Sequence, residues 1–370
     1  MPKRIILMFI SEVSGHRSAA EAIEKAIKSL DPQAEVMGIN AFHYTNPVSE
    51  KIINKIYMGV IQKMPLIWNY LYDNPKISRR LEKIKKKVNR HNSQKLKKLF
   101  EEFKPDAVAC TQAYPCGMVA GYKEFFNSGL PLVAVLTDFV PHSYWIYEKV
   151  DHYIAPSEDV KLRMAEKGVP QERIKPFGIP FDPKFNEPQD KARICRELGL
   201  DPGNPIILIM GGSHGLGPIN AVIKSLDKLK SPIQEIIVAG ANKKLYNSLN
   251  KKVSGFNKKI LLLGFVDYIH KLMSVSDLII SKPGGVTTAE VLAKKLPMII
   301  LKPIPGQEAN NTAYLTEKGA AIKVEEPEEL GKVVDDLFAN PEKLKSLSLA
   351  CAKIAKPLAS MDIARLLLGL

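Results

Sequence analysis

Apolar residues fall in short unbroken runs along this chain, separated by stretches where they recur at helical spacing. Arg4–Ile10, Ala107–Cys110, Leu132–Thr137 and His152–Ala155 are such runs, while Ser18–Leu30 repeats its apolar positions every three or four residues. A continuous apolar run reads as a strand covered on both faces, which is the environment of a parallel sheet between helices. Ala34–Asn40 supplies a further candidate strand. The pattern restarts at Pro205: Ile206–Met210, Glu235–Ala239, Ile260–Leu263, Leu278–Ser281 and Met298–Leu301 read as strands, and Pro218–Leu229 as a helix opened by proline. Alternating strands and helices in two series predict an α/β protein with two Rossmann-like units.

The predicted units are residues 1–180 and 181–357. The Pro- and charge-rich stretch Lys175–Pro205 serves as connector, and an apolar helical tail, 358–370, is expected to pack back on the first unit. Asn46–Phe103 breaks the alternation. Lys76–Lys98 carries eleven Lys or Arg residues and one acid, Glu82, with Ile77, Leu81, Ile84 and Val88 at helical spacing. This predicts a basic amphipathic helix that includes Arg79, Arg80 and Lys86. Trp68, Tyr70 and Tyr72 precede it, the residue types that favour a membrane interface. Docking on an anionic bilayer fits this stretch, and so does a solvated helix packed on its own unit.

A net charge of +14 and a pI near 9.4 strengthen the expectation of an anionic partner. No nucleic-acid motif accompanies the charge, so nucleic acid is not expected. Cys110, Cys116, Cys195 and Cys351 form no CxxC pair, which argues against a structural zinc site or a disulfide framework and fits a reducing cytosol. The opening MPKRIILMFI is too short for a signal segment, and no run approaches a membrane span of about 20 apolar residues. No D-x-D pair is present to hold a divalent metal, so neither metal nor cofactor is expected.

Candidate chemistry gathers after the predicted strands, where open α/β sheets place their ligands. In Ser281–Asn311 a strand leads through Gly284 and Gly285 into a helix whose open N–H groups suit a phosphate. Thr287 and Glu290 follow on that helix, and Gln307, Glu308, Asn310 and Asn311 after the next strand. N–H groups beside carboxylates and amides suit a nucleotide sugar. GGSHG, with Gly212 and Ser213, repeats the strand–glycine–helix arrangement; a tight turn alone would account for it. Phe265 and Val266 follow a strand and could border a flat base or complete the core. In the first half, SEVSGHR places His16 at a helix start, where the dipole keeps an imidazole neutral, as a general base requires. Asp138 and His142 in TDFVPHSYW form a second candidate acid–base pair, or an ordinary loop contact.

The ordered set S-x-x-x-G-H-R, T-D-F-x-x-H-x-x-W, G-I-P, G-G-S, G-F-V, K-P-G-G-x-T-x-A-E and G-Q-E-x-x-N resembles the monogalactosyldiacylglycerol synthase / processive diacylglycerol glucosyltransferase group. That group is related to the peptidoglycan N-acetylglucosaminyltransferase, and the resemblance runs from Arg4 to about Val324. It implies a GT-B fold, with two Rossmann-like domains facing across a cleft. It further implies an inverting hexose transfer from a UDP-sugar to a diacylglycerol-type lipid, by an enzyme peripheral on the cytoplasmic face of the membrane. Carried over by motif, Gly212, Ser213, Gly284, Gly285 and Thr287 lie at the phosphates, and Phe265 and Val266 at the uracil. Glu290 or Glu308 takes the ribose, and Gln307 and Asn311 lie near the sugar. His16 is the base with Asp138 near it; Ser14, Gly15 and His142 line the acceptor side. The loop Val13-Ser14-Gly15-His16 departs from the G-G-G-H of the group, which leaves room for a cell-wall lipid intermediate as acceptor. A non-catalytic basic membrane- or nucleic-acid-binding protein is the reading of another class.

Overall fold

The computed structural model describes residues 2–11, 14–45, 94–212, 215, 217–303 and 306–370. Two compact units emerge. The first holds the described residues up to Pro183 together with Gly306, Gln307 and Lys356–Leu370; the second holds Lys184–Pro303 and Glu308–Ala355.

The first unit is built on six parallel strands, β1 (Arg4–Phe9), β2 (Glu35–Asn40), β3 (Ala107–Cys110), β4 (Leu132–Val135), β5 (His152–Ile154) and β6 (Ile174–Lys175), in the order β2-β1-β3-β4-β5-β6. Five of the six residues of β1, and all of β3 and β4, are buried, because helices cover both faces. The helix Gly15–Leu30 lays Ala19, Ala20, Ala22, Ile23, Ala26 and Ile27 on one face. The C-terminal helix Ala359–Gly369 packs beside it, and its Ile363, Ala364 and Leu367 join Ile5, Leu7 and Ile23 in one cluster. Ser360 Oγ fastens this tail by donating to Phe181 O at 2.6 Å and accepting from Phe181 N at 3.0 Å. Gly178 lets the tail pass: its φ is +104°, and a Cβ there would overlap the Cβ of Lys356.

The second unit repeats the plan with β7 (Ile206–Met210), β8 (Gln234–Val238), β9 (Lys259–Leu263), β10 (Leu278–Ser281), β11 (Met298–Leu301) and β12 (Ala321–Val324). All are parallel, in the order β12-β11-β10-β7-β8-β9. Each sheet therefore reverses its strand order beside its first strand, at β1/β3 and at β7/β10, and open α/β sheets bind ligands at the carboxyl ends there.

The predicted α/β architecture is the observed one. Within the predicted connector, Lys175 ends β6, and Lys191–Glu197 is a helix that buries Ile194 and Cys195. A two-residue edge strand and a seven-residue helix are too short to display a period. The predicted basic helix lies outside the described residues up to position 93; residues 94–103 are helical and bury Leu96, Leu99, Phe100 and Phe103. No helix among the described residues is long and apolar enough to cross a membrane.

Candidate active site

In the first unit, three neighbouring strands deliver three side chains to one edge. After β1 the chain turns through Ser11, whose φ is +62°, and enters the helix at Gly15. Ser14 caps that helix: its Oγ accepts from Arg17 N at 3.3 Å and lies 2.9 Å from Ile10 O, to which it donates. The Ser14 hydroxyl is thus engaged in shaping the turn, while Gly15 is exposed. His16 follows, and its Nδ1 lies 2.9 Å from the carbonyl oxygen of Thr111, just past β3, and 3.1 Å from Thr137 Oγ1, just past β4. The Thr111 hydroxyl donates back to His16 O at 2.8 Å.

Burial pushes the His16 pKa from 6.5 down to about 4, opposed by its bond to the Thr111 carbonyl. The ring is neutral near pH 7. The residue as a whole is half-buried. Asp138, half-buried, accepts from Gln307 Nε2 at 2.8 Å, both residues being grouped in the first unit. His142 is buried with its ring centroid 5.6 Å from that of Tyr144 and 6.2 Å from that of Trp145.

In the second unit, the ends of β7 and β10 meet at Gly212 and Lys282. Gly212 has φ +68°, and a Cβ on it would stand 2.9 Å from Lys282 Cε. Lys282 Nζ donates to Glu308 Oε1 at 2.8 Å, with the two side chains 27% and 13% exposed, which places a cation at the strand reversal. Gly284 N then donates to Lys282 O at 3.0 Å, turning the chain into the helix Gly285–Ala293. That helix opens without a side-chain cap, so its first N–H groups and its positive dipole end face the loop. Apart from its chain neighbours, no atom of the described residues lies within 4 Å of where a Gly284 Cβ would be. Thr287 and Glu290, on this helix, are half-buried.

Asn311, expected near a sugar, is fully buried and donates from Nδ2 to Pro283 O at 2.9 Å, so it braces the loop. Phe265 is 73% exposed, which excludes the core-packing alternative and leaves an open aromatic face after β9; Val266 beside it is half-buried. Ser213, Trp68, Arg79, Arg80 and Lys86 lie outside the described residues.

Sequence reasoning missed Thr111, Thr137 and Lys282. Thr137 and Lys282 stand inside motifs already singled out, and position after a strand was the available signal. Thr111 acts partly through its backbone carbonyl, which no side-chain pattern reveals. No group of three or more His, Cys, Asp or Glu residues suited to a metal occurs among the described residues.

Residues 16–181 match the Monogalactosyldiacylglycerol (MGDG) synthase family, and residues 206–362 match the Glycosyltransferase family 28 C-terminal domain. The processive diacylglycerol beta-glucosyltransferase of Bacillus licheniformis is 30% identical over 351 residues, covering 93% of this chain and 89% of that one. The protein of the same description from Bacillus subtilis is 30% identical over 348 residues, 92% and 88% of the two chains. Among solved structures, Acinetobacter baumannii MurG superposes with a TM-score of 0.67 at 18% identity over 100% of both chains. Anabaena Alr3699/HepE, solved in complex with UDP-glucose, gives 0.57 at 17% identity over 99% and 100%. These likenesses establish the GT-B fold, and the match to relatives across nine-tenths of the chain removes the non-catalytic reading. The chain belongs to the monogalactosyldiacylglycerol synthase / processive diacylglycerol glucosyltransferase family of glycosyltransferases.

Proposed function

We propose that this enzyme transfers a hexose, with inversion, from a UDP-sugar to the hydroxyl of diacylglycerol or a related glycolipid at a membrane surface. The observation that carries the reading is the neutral His16 at the β1/β3 reversal, its Nδ1 anchored on a backbone carbonyl. In this reading Nε2 removes the acceptor hydroxyl's proton as that oxygen attacks the anomeric carbon, and the bond to UDP breaks on the opposite side. Asp138 stands near this step, with Ser14, Gly15 and His142 on the acceptor side.

The second unit holds the donor. The diphosphate takes up negative charge as it leaves, and the N–H groups opening the helix at Gly285 stabilise it together with the Lys282 ammonium. This needs no metal. Gly212, Ser213 and Thr287 lie along the phosphates, Phe265 and Val266 border the base, and Glu290 or Glu308 takes the ribose hydroxyls. Gln307, whose amide holds Asp138, is assigned to the sugar by its motif alone, and Asn311 acts through the loop it braces. UDP-glucose in the Anabaena structure supports a UDP-sugar donor, and the descriptions of the Bacillus relatives support a diacylglycerol acceptor. The basic stretch Lys76–Lys98 supports attachment to the anionic cytoplasmic face of the membrane.

The test is turnover of UDP-glucose and UDP-galactose on diacylglycerol vesicles by the wild type and His16→Gln. The substitution is expected to lower kcat by about 10²- to 10⁴-fold while UDP binding persists. Near-normal turnover by His16→Gln removes His16 as the base.

A further inference from the structure

The chemistry of the His16 neighbours fixes which ring nitrogen can work. Its Nδ1 has two oxygens around it, Thr111 O at 2.9 Å and Thr137 Oγ1 at 3.1 Å. A carbonyl oxygen only accepts. If Nδ1 lacked a proton, its lone pair would face the carbonyl lone pairs at 2.9 Å with no hydrogen between them, whichever way the Thr137 hydroxyl turned. The tautomer with Nδ1–H satisfies both oxygens at once through a shared hydrogen bond. Its Nε2 lone pair then makes no bond among the described residues. Among those residues no carboxylate contacts the ring, so this is not the histidine–carboxylate pairing seen in many hydrolytic sites.

Thr111 contributes twice. It is fully buried, its N–H donates to Met8 O at 3.0 Å as the last rung of the β1/β3 ladder, and its hydroxyl holds His16 O at 2.8 Å. The carbonyl that accepts from the imidazole and the hydroxyl that bonds the His16 backbone therefore belong to one fully buried residue at the end of β3. Thr137, 4% exposed, closes the other side from β4.

We propose that Thr111 and Thr137 are positioning residues that lock His16 in its Nδ1–H tautomer through neutral acceptors, presenting the Nε2 lone pair to the acceptor hydroxyl. The proposal rests on the reading of His16 as base, and it predicts a ring state that can be observed without turnover. As the Nε2 face takes the acceptor proton, the ring becomes an imidazolium whose Nδ1–H still points at the Thr111 carbonyl and the Thr137 oxygen. The positive charge is then spread over two neutral acceptors, with no carboxylate on the ring among the described residues.

The experiment is two-bond ¹H–¹⁵N correlation on the full ¹⁵N-histidine-labelled chain, with His16 assigned from the signals lost in His16→Gln. A protonated-type shift at Nδ1 and a lone-pair-type shift at Nε2 are expected in the wild type; the reverse assignment overturns the proposal. Thr137→Val is expected to lower kcat by about three- to tenfold, the weight of one neutral hydrogen bond. It should leave the donor KM unchanged and bring in a fraction of the Nε2–H tautomer. Thr137→Ser should restore both kcat and the tautomer. A Thr137→Val enzyme with unaltered kcat and tautomer overturns the role of Thr137, and a kcat loss that Thr137→Ser does not rescue does the same. Full activity in His16→Gln would instead remove the base assignment, and the wild-type spectrum would still report whether the ring is locked.

Discussion

Gly284 offers a substitution that should separate ligand approach from folding. Its φ of −64° and ψ of 140° suit any L-residue, and a Cβ there meets no atom of the described residues beyond its chain neighbours within 4 Å. Alanine should therefore fit. Reduced unfolded-chain entropy favours the variant by about 0.4–1 kcal/mol, while alanine caps a helix less well than glycine by about 0.5–1 kcal/mol. The two nearly cancel, so Tm should stay within about 2 °C of wild type. The added methyl fills the space in front of the helix opening at Gly285. Displacing a diphosphate there by even one charge-assisted N–H bond costs about 1.5–3 kcal/mol, or about 10- to 150-fold in affinity. Titration calorimetry with UDP and a thermal melt on the same sample read both quantities. Gly212→Ala is the contrasting variant: its φ of +68° adds about 1–2 kcal/mol of backbone strain, and its Cβ crowds Lys282, so Tm and affinity should both fall. Gly284→Ala binding UDP with wild-type affinity would refute the reasoning, because the open space would then not be where the phosphates lie.

Lys282→Met removes the cation held by Glu308 and should weaken UDP binding about tenfold or more, whereas Lys282→Arg should retain most of it; calorimetry decides. Gly178→Ala forces φ +104° on a residue with a Cβ and pushes that Cβ into Lys356, so it should cost about 2–4 kcal/mol and increase hydrogen exchange in the helix Ala359–Gly369. Glu235 is fully buried on β8, its two carboxyl oxygens make no hydrogen bond among the described residues, and burial with nearby Asp227 raises its pKa from 4.5 to about 8. Its folded pKa lies above the unfolded one, so its neutral form stabilises the fold at low pH and that contribution is lost as pH rises from about 4.5 through about 8. Glu235→Gln should flatten this part of the stability–pH profile measured by denaturant titration.

Much of this architecture was legible in the sequence for a physical reason. Strands such as Ile206–Met210 and Leu278–Ser281 lie inside parallel sheets, so they must be apolar throughout and stand out as unbroken runs. Strand order was not legible, because it depends on which distant segments pair. His16 was recognisable as a helix-start histidine, yet its partners, 95 and 121 residues away, appear only once β3 and β4 stand beside β1. Gly284 and Glu308 were visible within one motif region, whereas the cation paired with Glu308, Lys282, was read only as part of the strand end. Asn311 shows the limit of motif spacing. A polar residue beside a site can be wholly buried, spending its amide on the loop that carries the neighbouring glycine.

The most direct test of the proposed transfer is mass spectrometry of lipid products, with NMR of the anomeric proton, after the enzyme acts on anionic vesicles containing diacylglycerol and an equimolar mixture of UDP-glucose and UDP-galactose. The account predicts a hexosyl-diacylglycerol of β configuration, formed from the α-linked donor and abolished by His16→Gln. An α-linked product would contradict inversion. Hexose transferred only to a polyprenyl-linked acceptor, or released as free sugar with no glycolipid formed, would contradict the acceptor assignment.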